Sequence, residues 1–261
     1  MTESIPSFPS PSGDHTLIVI PTYNEMSTLP TILGDIWANV PGAHVLIVDD
    51  SSPDGTGEWV DNRREGEERL HVLHRPAKSG LATAYVDGMG WGIDHGYPFI
   101  LQMDADGSHR PVDLPKLLCR MAGPDRPDLV IGSRWVPGGA INGWSTKRVA
   151  LSKAGNYYVR FCLGTPVRDA TAGLRLHRAS FLSEHAVLGR VATTGFGFQV
   201  EMTELERSLG AVIAEVPITF DERMAGESKL DSSIFVEELV MVTKGGLSRL
   251  AQAARQVLPK H

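Results

Sequence analysis

Residues 16–25 read Thr16-Leu17-Ile18-Val19-Ile20-Pro21-Thr22-Tyr23-Asn24-Glu25. Four consecutive apolar residues lead directly into a polar segment that begins with Pro21. An apolar run without alternation is typical of a central parallel strand, because helices cover such a strand on both faces. We therefore predict a buried strand here, with a polar loop at its carboxyl end.

The same arrangement recurs along the chain and extends the prediction from one strand to a sheet. Further apolar runs that lead into turn-forming residues lie at 44–48, 70–73, 99–103 and 128–133. Helical patterns separate these runs, and such alternation predicts an α/β fold with a mostly parallel sheet. The second half predicts a helix over 146–163, a strand at 174–177, a helix near 198–208 and a strand over 212–220.

Composition narrows the classes of function. The chain has 261 residues and a formal net charge of −6, so its field should repel nucleic acid, and we expect no nucleic acid partner. Cys119 and Cys162 are far apart in sequence, which predicts two buried thiols in a reducing cytosol rather than a disulfide. No apolar run approaches the roughly 20 residues of a membrane-spanning helix. A cytoplasmic protein is expected.

The chain divides into three parts. Residues 1–15 are rich in Pro and Ser and are predicted to be a disordered lead-in. A single domain is predicted over 16–238. Residues 239–261 carry basic but no acidic side chains and predict a basic amphipathic helix. Such a helix either lies on an anionic membrane surface or packs on the domain with a solvated basic face.

Polar residues follow several predicted strands at the edge where open parallel sheets bind ligands. Asp104-Ala105-Asp106 comes directly after the fourth strand. Two carboxylates separated by one residue can bind one hard cation, and oxygen ligands suit Mg²⁺ or Mn²⁺. The competing interpretation is a solvated acidic pair in a loop.

Two other strand ends have similar alternatives. Residues 49–56 read Asp-Asp-Ser-Ser-Pro-Asp-Gly-Thr and predict a turn with Asp54 or Thr56 capping the next helix. A carboxylate there could instead accept hydrogen bonds from a base or a ribose. Residues 21–25 form either a loop that only ends the strand or a loop that binds the nucleotide base. A nucleoside diphosphate also needs cations, and the candidates are Arg134, Arg148, Arg223 and Lys229.

Seven segments in this order resemble the polyprenol-phosphate mannose synthases, the dolichol-phosphate mannose synthase branch of the inverting family 2 glycosyltransferases. The matching segments are 21–25, 48–56, 103–106, 132–134, 169–175, 195–199 and 222–229. The resemblance implies a GT-A type fold, with a Rossmann-like, mostly parallel sheet flanked by helices, in a catalytic domain over 16–238. It also implies a GDP-mannose donor, a polyprenyl phosphate acceptor and Mg²⁺ or Mn²⁺ as cofactor.

The resemblance assigns roles to individual residues. Those implied to bind the nucleotide sugar are Pro21, Tyr23, Glu25, Val48, Asp50, Asp104, Ala105, Asp106, Arg134, Arg223 and Lys229. Asp104 and Asp106 would hold the metal. Arg148 and Ser152 match the family's Arg-x-x-x-Ser helix and would bind the acceptor phosphate. The residues implied to act in catalysis are Asp106, Arg134, Arg148 and Ser152, and the mechanism is direct displacement with inversion.

Three positions depart from the family pattern. Gly107-Ser108 follows the acidic pair, which leaves the third metal ligand open, and Ala82 and Ala172 stand where Gly and Ser are usual. None of these changes removes a charge, so we expect an active enzyme. A peripheral position on the membrane is expected, with a separate membrane-anchoring protein left open as a partner.

Two alternatives remain. One is a sister enzyme that uses UDP-glucose or another UDP-sugar, and the other is a catalytically silent nucleotide-sugar sensor. A dinucleotide-binding dehydrogenase is excluded, because Pro21-Thr22-Tyr23 stands where a Gly-x-Gly-x-x-Gly fingerprint would follow the first strand.

Overall fold

The structure is a computed structural model that describes residues 8–193, 195, 197–223 and 243. The strands are β1 (Thr16–Thr22), β2 (His44–Asp49), β3 (Leu70–His74), β4 (Phe99–Gln102), β5 (Leu129–Ser133), β6 (Ala140–Ile141), β7 (Arg175–Arg178), β8 (Ile213–Pro217) and β9 (Thr219–Phe220). The helices are α1 (Leu29–Asn39), α2 (Thr56–Arg64), α3 (Leu81–Asp94), α4 (Leu114–Met121), α5 (Thr146–Leu163), α6 (Ala179–Glu184) and α7 (Phe198–Ser208), with 3₁₀ turns at Pro111–Asp113 and Leu188–Arg190.

Seven strands form one sheet in the order β3-β2-β1-β4-β7-β5-β8. Every pairing is parallel except those of β7, which runs antiparallel to both β4 and β5. The predicted mostly parallel α/β sheet is therefore confirmed. The antiparallel insertion of β7 has a consequence for the site, because it brings the amino end of β7 to the edge where the parallel strands end.

Two hydrophobic layers cover the sheet. Ile18 and Ile20 of β1 pack with α1 and α4 on one face, whereas Leu17 and Val19 pack with α3, α6 and α7 on the other. Successive side chains of a strand point to opposite faces, so a strand covered twice must be apolar at every position. This explains the unbroken apolar run of β1.

Helix α3 lies unusually close to the sheet at Gly88. A Cβ at this position would lie 2.8 Å from Cγ2 of Val48 and would also collide with Val19. Helix α5 packs at the other end of the sheet, where Val159 and Leu163 join a small cluster with Leu129 and Ile131 of β5. The predicted helix over 146–163 is confirmed.

Some local predictions are wrong. Cys119 is exposed and Cys162 is partly exposed, because the buried face of α4 is formed by leucines and Met121 on the side away from Cys119. The strand predicted over 212–220 is divided into β8 and β9. In place of disorder, residues 8–15 form turns in which the Ser12 carbonyl accepts the Gly42 amide at 2.8 Å.

Other predictions lie outside the described residues. Lys229 and the helix predicted over 239–261 fall there, apart from Thr243. Within the described part of the chain, no helix combines the length and the apolar character that crossing a bilayer requires.

Candidate active site

The segments with predicted chemistry meet at one edge of the sheet. The carboxyl ends of β1, β2 and β4 are neighbours there because these strands are parallel. The Thr22 hydroxyl donates to Asp49 Oδ1 at 3.1 Å, and the Asn24 amide donates to Ser52 Oγ at 3.1 Å. Thr28 Oγ1 donates to the Ala105 carbonyl at 2.8 Å. Direct hydrogen bonds thus join all three segments.

The two adjacent carboxylates at the end of β2 have different surroundings. Asp49 accepts hydrogen bonds from Thr22 and from the amide and hydroxyl of Ser52, so it holds the loop together. Asp50 pairs with Arg75, whose Nη1 lies 2.6 Å from Oδ1, and both side chains are almost buried. Arg75 also contacts Asp87 at 2.9 Å. Our sequence interpretation missed Arg75, although it directly follows the third strand.

Gly55 is the N-cap of α2 and makes no side-chain cap hydrogen bond, but Asp54 just before it binds the first residue of the helix. Asp54 Oδ1 accepts the Thr56 amide and hydroxyl at the start of α2, and its Oδ2 accepts the Met26 amide. Burial raises the pKa of Asp54, but these hydrogen bonds outweigh it and lower the pKa overall. Ser51 has a φ of 55°, which is uncommon for a residue that is not glycine, and its hydroxyl donates to the Arg75 carbonyl at 2.6 Å.

Hydrogen bonds and an ion pair hold both carboxylates of the acidic pair. Asp104 Oδ1 accepts the Tyr85 hydroxyl at 2.7 Å. Asp106 Oδ1 accepts the amide and the hydroxyl of Ser108, at 3.0 Å and 2.5 Å. Asp106 Oδ2 lies 2.6 Å from Arg223 Nε. The structure therefore positions both carboxylates and brings a predicted phosphate-binding cation onto one of them.

Tyr85 is a positioning residue that the sequence did not reveal. Burial, followed by the charge of Asp104, raises the pKa of its hydroxyl well above 10, so the group stays a proton donor. Its ring stacks on Phe198 with the ring planes 4° apart. In the sequence Tyr85 is indistinguishable from a core aromatic residue of α3.

The acidic pair suits a hard divalent cation. Within the described residues, no group of three His, Cys, Asp or Glu side chains forms a complete metal site. Mg²⁺, however, is usually held by one or two carboxylates together with substrate phosphates and waters. A Cβ on Gly173 would lie 3.1 Å from Asp104 Oδ2, so the glycine leaves space beside this oxygen. Two carboxylates with restrained orientations fit that mode of binding, whereas the Ser108 hydroxyl donates to Asp106.

Arg134 follows β5 at the same edge and forms a buried ion pair. Its Nε and Nη2 donate to the two oxygens of Asp169 at 2.8 Å and 2.6 Å, and Nη2 also reaches Thr171 Oγ1 at 2.9 Å. The Asp169 side chain is fully buried. Asp169 reaches this place because β7 is antiparallel, so the segment before β7 lies at the edge where β5 ends. In the sequence, only the family resemblance pointed to the segment 169–175, which contains Asp169.

Arg148 and Ser152 lie one turn apart on α5. The Arg148 guanidinium is 3.9 Å from the centre of the Trp144 ring, and its Nη1 is 3.6 Å from Glu222 Oε1. Burial lowers the pKa of Arg148, and the nearby Arg223 and Arg134 act in the same direction while Glu222 opposes them. The Arg134 guanidinium lies 5.7 Å from the centre of the same Trp144 ring, so Arg134 and Arg148 share one aromatic neighbour.

A hydrogen-bond chain connects α5 to Arg134. Asn156 Nδ2 donates to the Ser152 carbonyl and to Thr171 Oγ1, both at 3.1 Å, and Arg134 donates to the same Thr171 oxygen. Asn156 Oδ1 accepts the Ala170 amide at 2.9 Å. Asn156 is thus a second positioning residue absent from our sequence interpretation.

Comparisons with known proteins identify the family of this chain. A family model described as Glycosyl transferase family 2 matches residues 17–185. An undecaprenyl-phosphate mannosyltransferase of Micrococcus luteus is 49% identical over 89% of this chain and 94% of its own length. A polyprenol monophosphomannose synthase of Mycolicibacterium smegmatis is 44% identical over 93% of this chain and 91% of its own length.

Solved structures share the fold. Glucosyl-3-phosphoglycerate synthase from Mycobacterium tuberculosis superposes with a TM-score of 0.63 at 18% identity, covering 90% of this chain and 80% of that one. A mannosyltransferase from Pyrobaculum calidifontis, solved with GDP-Man and Mn²⁺, gives a TM-score of 0.54 at 15% identity, covering 99% and 80%. At this identity the likeness concerns the fold, and it confirms the GT-A type predicted from the sequence.

Proposed function

Because the chain belongs to glycosyl transferase family 2 and groups there with polyprenol-phosphate mannose synthases, we propose that it transfers mannose from GDP-mannose to a polyprenyl phosphate. The products are polyprenyl-phosphate mannose with inverted configuration and GDP. One observation carries the proposal. A single edge of the sheet brings together the acidic pair at 104–106, the cations Arg134 and Arg223, and the helix that contains Arg148.

The donor lies along the ends of β1, β2 and β4. Its nucleoside contacts Pro21, Tyr23, Glu25, Val48 and Asp50, and its diphosphate lies at Asp104, Ala105, Asp106, Arg134, Arg223 and Lys229. Support comes from the hydrogen bonds that tie the three strand ends together. Mg²⁺ or Mn²⁺ at the acidic pair would neutralise charge on the departing diphosphate. Arg223 adds a cation at the same place.

The acceptor approaches from α5. Arg148 and Ser152 bind its phosphate and direct one oxygen at the anomeric carbon. A phosphate monoester is already anionic at neutral pH, so this nucleophile needs no strong general base. The hydrogen bonds that run from Asn156 through Thr171 to Arg134 support this arrangement, because they fix α5 relative to the sheet edge where the donor binds. The reaction would take place on the cytoplasmic face of the membrane.

The direct test is a transfer assay on the purified full-length protein. It is incubated with polyprenyl phosphate, Mg²⁺ or Mn²⁺, and either GDP-mannose or UDP-glucose, and the glycolipid is identified by mass spectrometry. We expect mannosyl lipid from GDP-mannose, with NMR showing inversion at the anomeric carbon. Product from UDP-glucose alone would show that the donor is UDP-glucose and not GDP-mannose. Binding of a nucleotide sugar without product from either donor would favour the catalytically silent sensor.

A further inference from the structure

Helix α5 differs in charge from the chain as a whole. The helix contains Lys147, Arg148, Lys153 and Arg160 and no acidic residue, although the chain as a whole has a formal charge of −6. This local excess of positive charge attracts anions to the same helix that carries the acceptor residues Arg148 and Ser152.

The outer side of α5 exposes large apolar side chains. Leu151, Tyr157 and Phe161 are 55%, 66% and 84% exposed. Positions 154, 157 and 161 recur at helical spacing and share one face, while Asn156, Val159 and Leu163 form the buried face. A soluble helix normally presents charged or polar residues on its outer side. Here the outer side is apolar, with Lys153 and Arg160 along one flank.

A groove lined by cationic side chains lies beside this face. It has a volume of about 330 Å³ and is lined by Trp135, Lys153, Asn156, Tyr157, Arg160 and Arg168. Trp135 Nε1 and Arg160 Nε are buried and have no hydrogen-bond acceptor among the described residues. A buried donor without an acceptor is costly, and a phosphate offers several acceptor oxygens.

Three cations line the groove. In the part of the chain that the structure describes, Lys153, Arg160 and Arg168 form no ion pair with a carboxylate. Lys153 Nζ lies 5.1 Å from the Trp135 ring centre. A second cavity of about 490 Å³ shares Trp135, Lys153 and Arg168 and extends to Arg134. The groove therefore leads towards the candidate active site.

We propose that this face of α5 docks on an anionic phospholipid bilayer, with a headgroup phosphate in the Lys153–Arg160–Arg168 groove and with Tyr157 and Phe161 in the interfacial layer. Aromatic side chains favour that layer, and each Lys or Arg near an anionic surface contributes about 1 kcal/mol. Docking here would bring acceptor lipid in the membrane close to Arg148. That consequence rests on the proposed function, whereas the binding of α5 to the membrane does not.

Vesicle sedimentation with the full chain tests the binding. Wild-type protein should bind vesicles of phosphatidylcholine with phosphatidylglycerol and bind pure phosphatidylcholine weakly. K153Q/R160Q/R168Q should lose about a hundredfold in affinity, because each cation near an anionic surface contributes about a factor of five. Phe161→Ser should weaken binding without a change in charge. The matched control R63Q/R64Q/R190Q removes three cations elsewhere and should bind like wild type.

The same measurements give different results if the bilayer contacts another segment or if this face of α5 binds something other than a bilayer. Unchanged binding of K153Q/R160Q/R168Q, together with loss in K244Q/R249Q/R255Q, would overturn the proposal in favour of the segment 239–261. Vesicle binding that glycerol phosphate abolishes but Phe161→Ser leaves intact would indicate a soluble phosphate ligand instead. A wild-type dimer that Phe161→Ser converts to a monomer, with vesicle binding unchanged, would make this face a contact between two copies.

An activity measurement separates this inference from the proposed function. With a short, water-soluble polyprenyl phosphate, K153Q/R160Q/R168Q should retain the wild-type rate, and it should lose activity only on acceptor embedded in anionic vesicles. Equal loss on both acceptors would contradict membrane docking. Vesicle binding by a wild-type protein that transfers no sugar would refute the proposed function and leave this inference standing.

Discussion

Arg223 Nε lies 2.6 Å from Asp106 Oδ2. A cation predicted to bind the donor diphosphate is therefore paired with a carboxylate predicted to bind the metal. The Arg223 side chain is 32% exposed, so the pair is partly hydrated and moderate in strength. If Asp106 holds a metal as proposed, Arg223 and a divalent cation would compete for the same oxygen in the absence of nucleotide. A bound diphosphate would engage both cations and end this competition.

We predict that Arg223→Gln binds Mn²⁺ about threefold to tenfold more tightly than wild type in the absence of nucleotide, a change of about 1 kcal/mol. The same variant should bind GDP more weakly, because the diphosphate loses a cation. Electron paramagnetic resonance measures free Mn²⁺, and calorimetry measures GDP. Arg120→Gln removes an arginine paired with Asp125 elsewhere and should change neither value. Weaker Mn²⁺ binding by Arg223→Gln would contradict the competition.

The hydrogen bond from Tyr85 to Asp104 gives a second prediction. Tyr85→Phe keeps the ring on Phe198 but leaves Asp104 Oδ1 without its donor at 2.7 Å. Partners that orient a metal ligand typically contribute about tenfold to a hundredfold in metal affinity or activity. We expect a loss of about tenfold in Mn²⁺ affinity, whereas Asp104→Ala or Asp106→Ala should abolish metal-dependent turnover.

Circular dichroism and thermal unfolding check that these variants fold. Tyr97→Phe serves as the control, since it also removes a phenol hydroxyl but lies beside His44 and His71 at the opposite edge of the sheet. Its Mn²⁺ affinity should equal that of the wild type. Full turnover in Asp104→Ala or Asp106→Ala would refute the metal assignment.

The sequence predicted the strands because their signal is local. Unbroken apolar runs such as 17–20 identify doubly covered strands, and the polar residues after them identify the ligand edge. The position of β7 could not be predicted in this way, because strand order depends on contacts between distant segments. The buried face of α4 likewise depends on its docking, which is why Cys119 was placed wrongly.

The sequence draws attention to residues whose chemistry is visible in the side chain, and it does not reveal residues whose role depends on a partner across the fold. Asp104 and Asp106 stand out as a pair of carboxylates after a strand. Tyr85, Arg75 and Asn156 do not, because each acts by holding another residue across the fold. The segment containing Asp169 was identified only through the family resemblance, which the relatives from Micrococcus luteus and Mycolicibacterium smegmatis confirm.

The buried pair of Arg134 and Asp169 predicts a stability defect. Asp169→Asn leaves the Arg134 charge almost buried without its carboxylate, and breaking such a pair costs about 3–5 kcal/mol. Urea unfolding should show a loss of that order, together with loss of transfer activity. Glu204→Gln breaks the ion pair with Arg207, in which both side chains are about one-third exposed, and should cost less than about 1 kcal/mol. A loss below 1 kcal/mol in Asp169→Asn would contradict a structural role for this pair.

The last prediction concerns pH and a histidine pair at the opposite edge of the sheet. His44 Nδ1 lies 3.0 Å from His71 Nε2, and the Tyr97 hydroxyl lies within 3.1 Å of both. Burial lowers the pKa of both imidazoles; Arg69 adds to the effect at His44, and His44 adds to it at His71. Glu67 opposes it at His44. The folded protein therefore favours the neutral forms.

The sign of the pH dependence follows from this shift. The unfolded chain, with a histidine pKa of about 6.5, binds more protons than the folded chain between that value and the lowered folded value. The stability from the neutral pair is thus present above about pH 6.5 and is lost as pH falls through the folded pKa. The melting temperature should fall between pH 7.5 and pH 5, and it should fall less in H44Q/H71Q. His185→Gln, at the end of α6 outside this cluster, is the matched control and should keep the wild-type slope. An equal slope in H44Q/H71Q and wild type would assign the acid sensitivity to other groups.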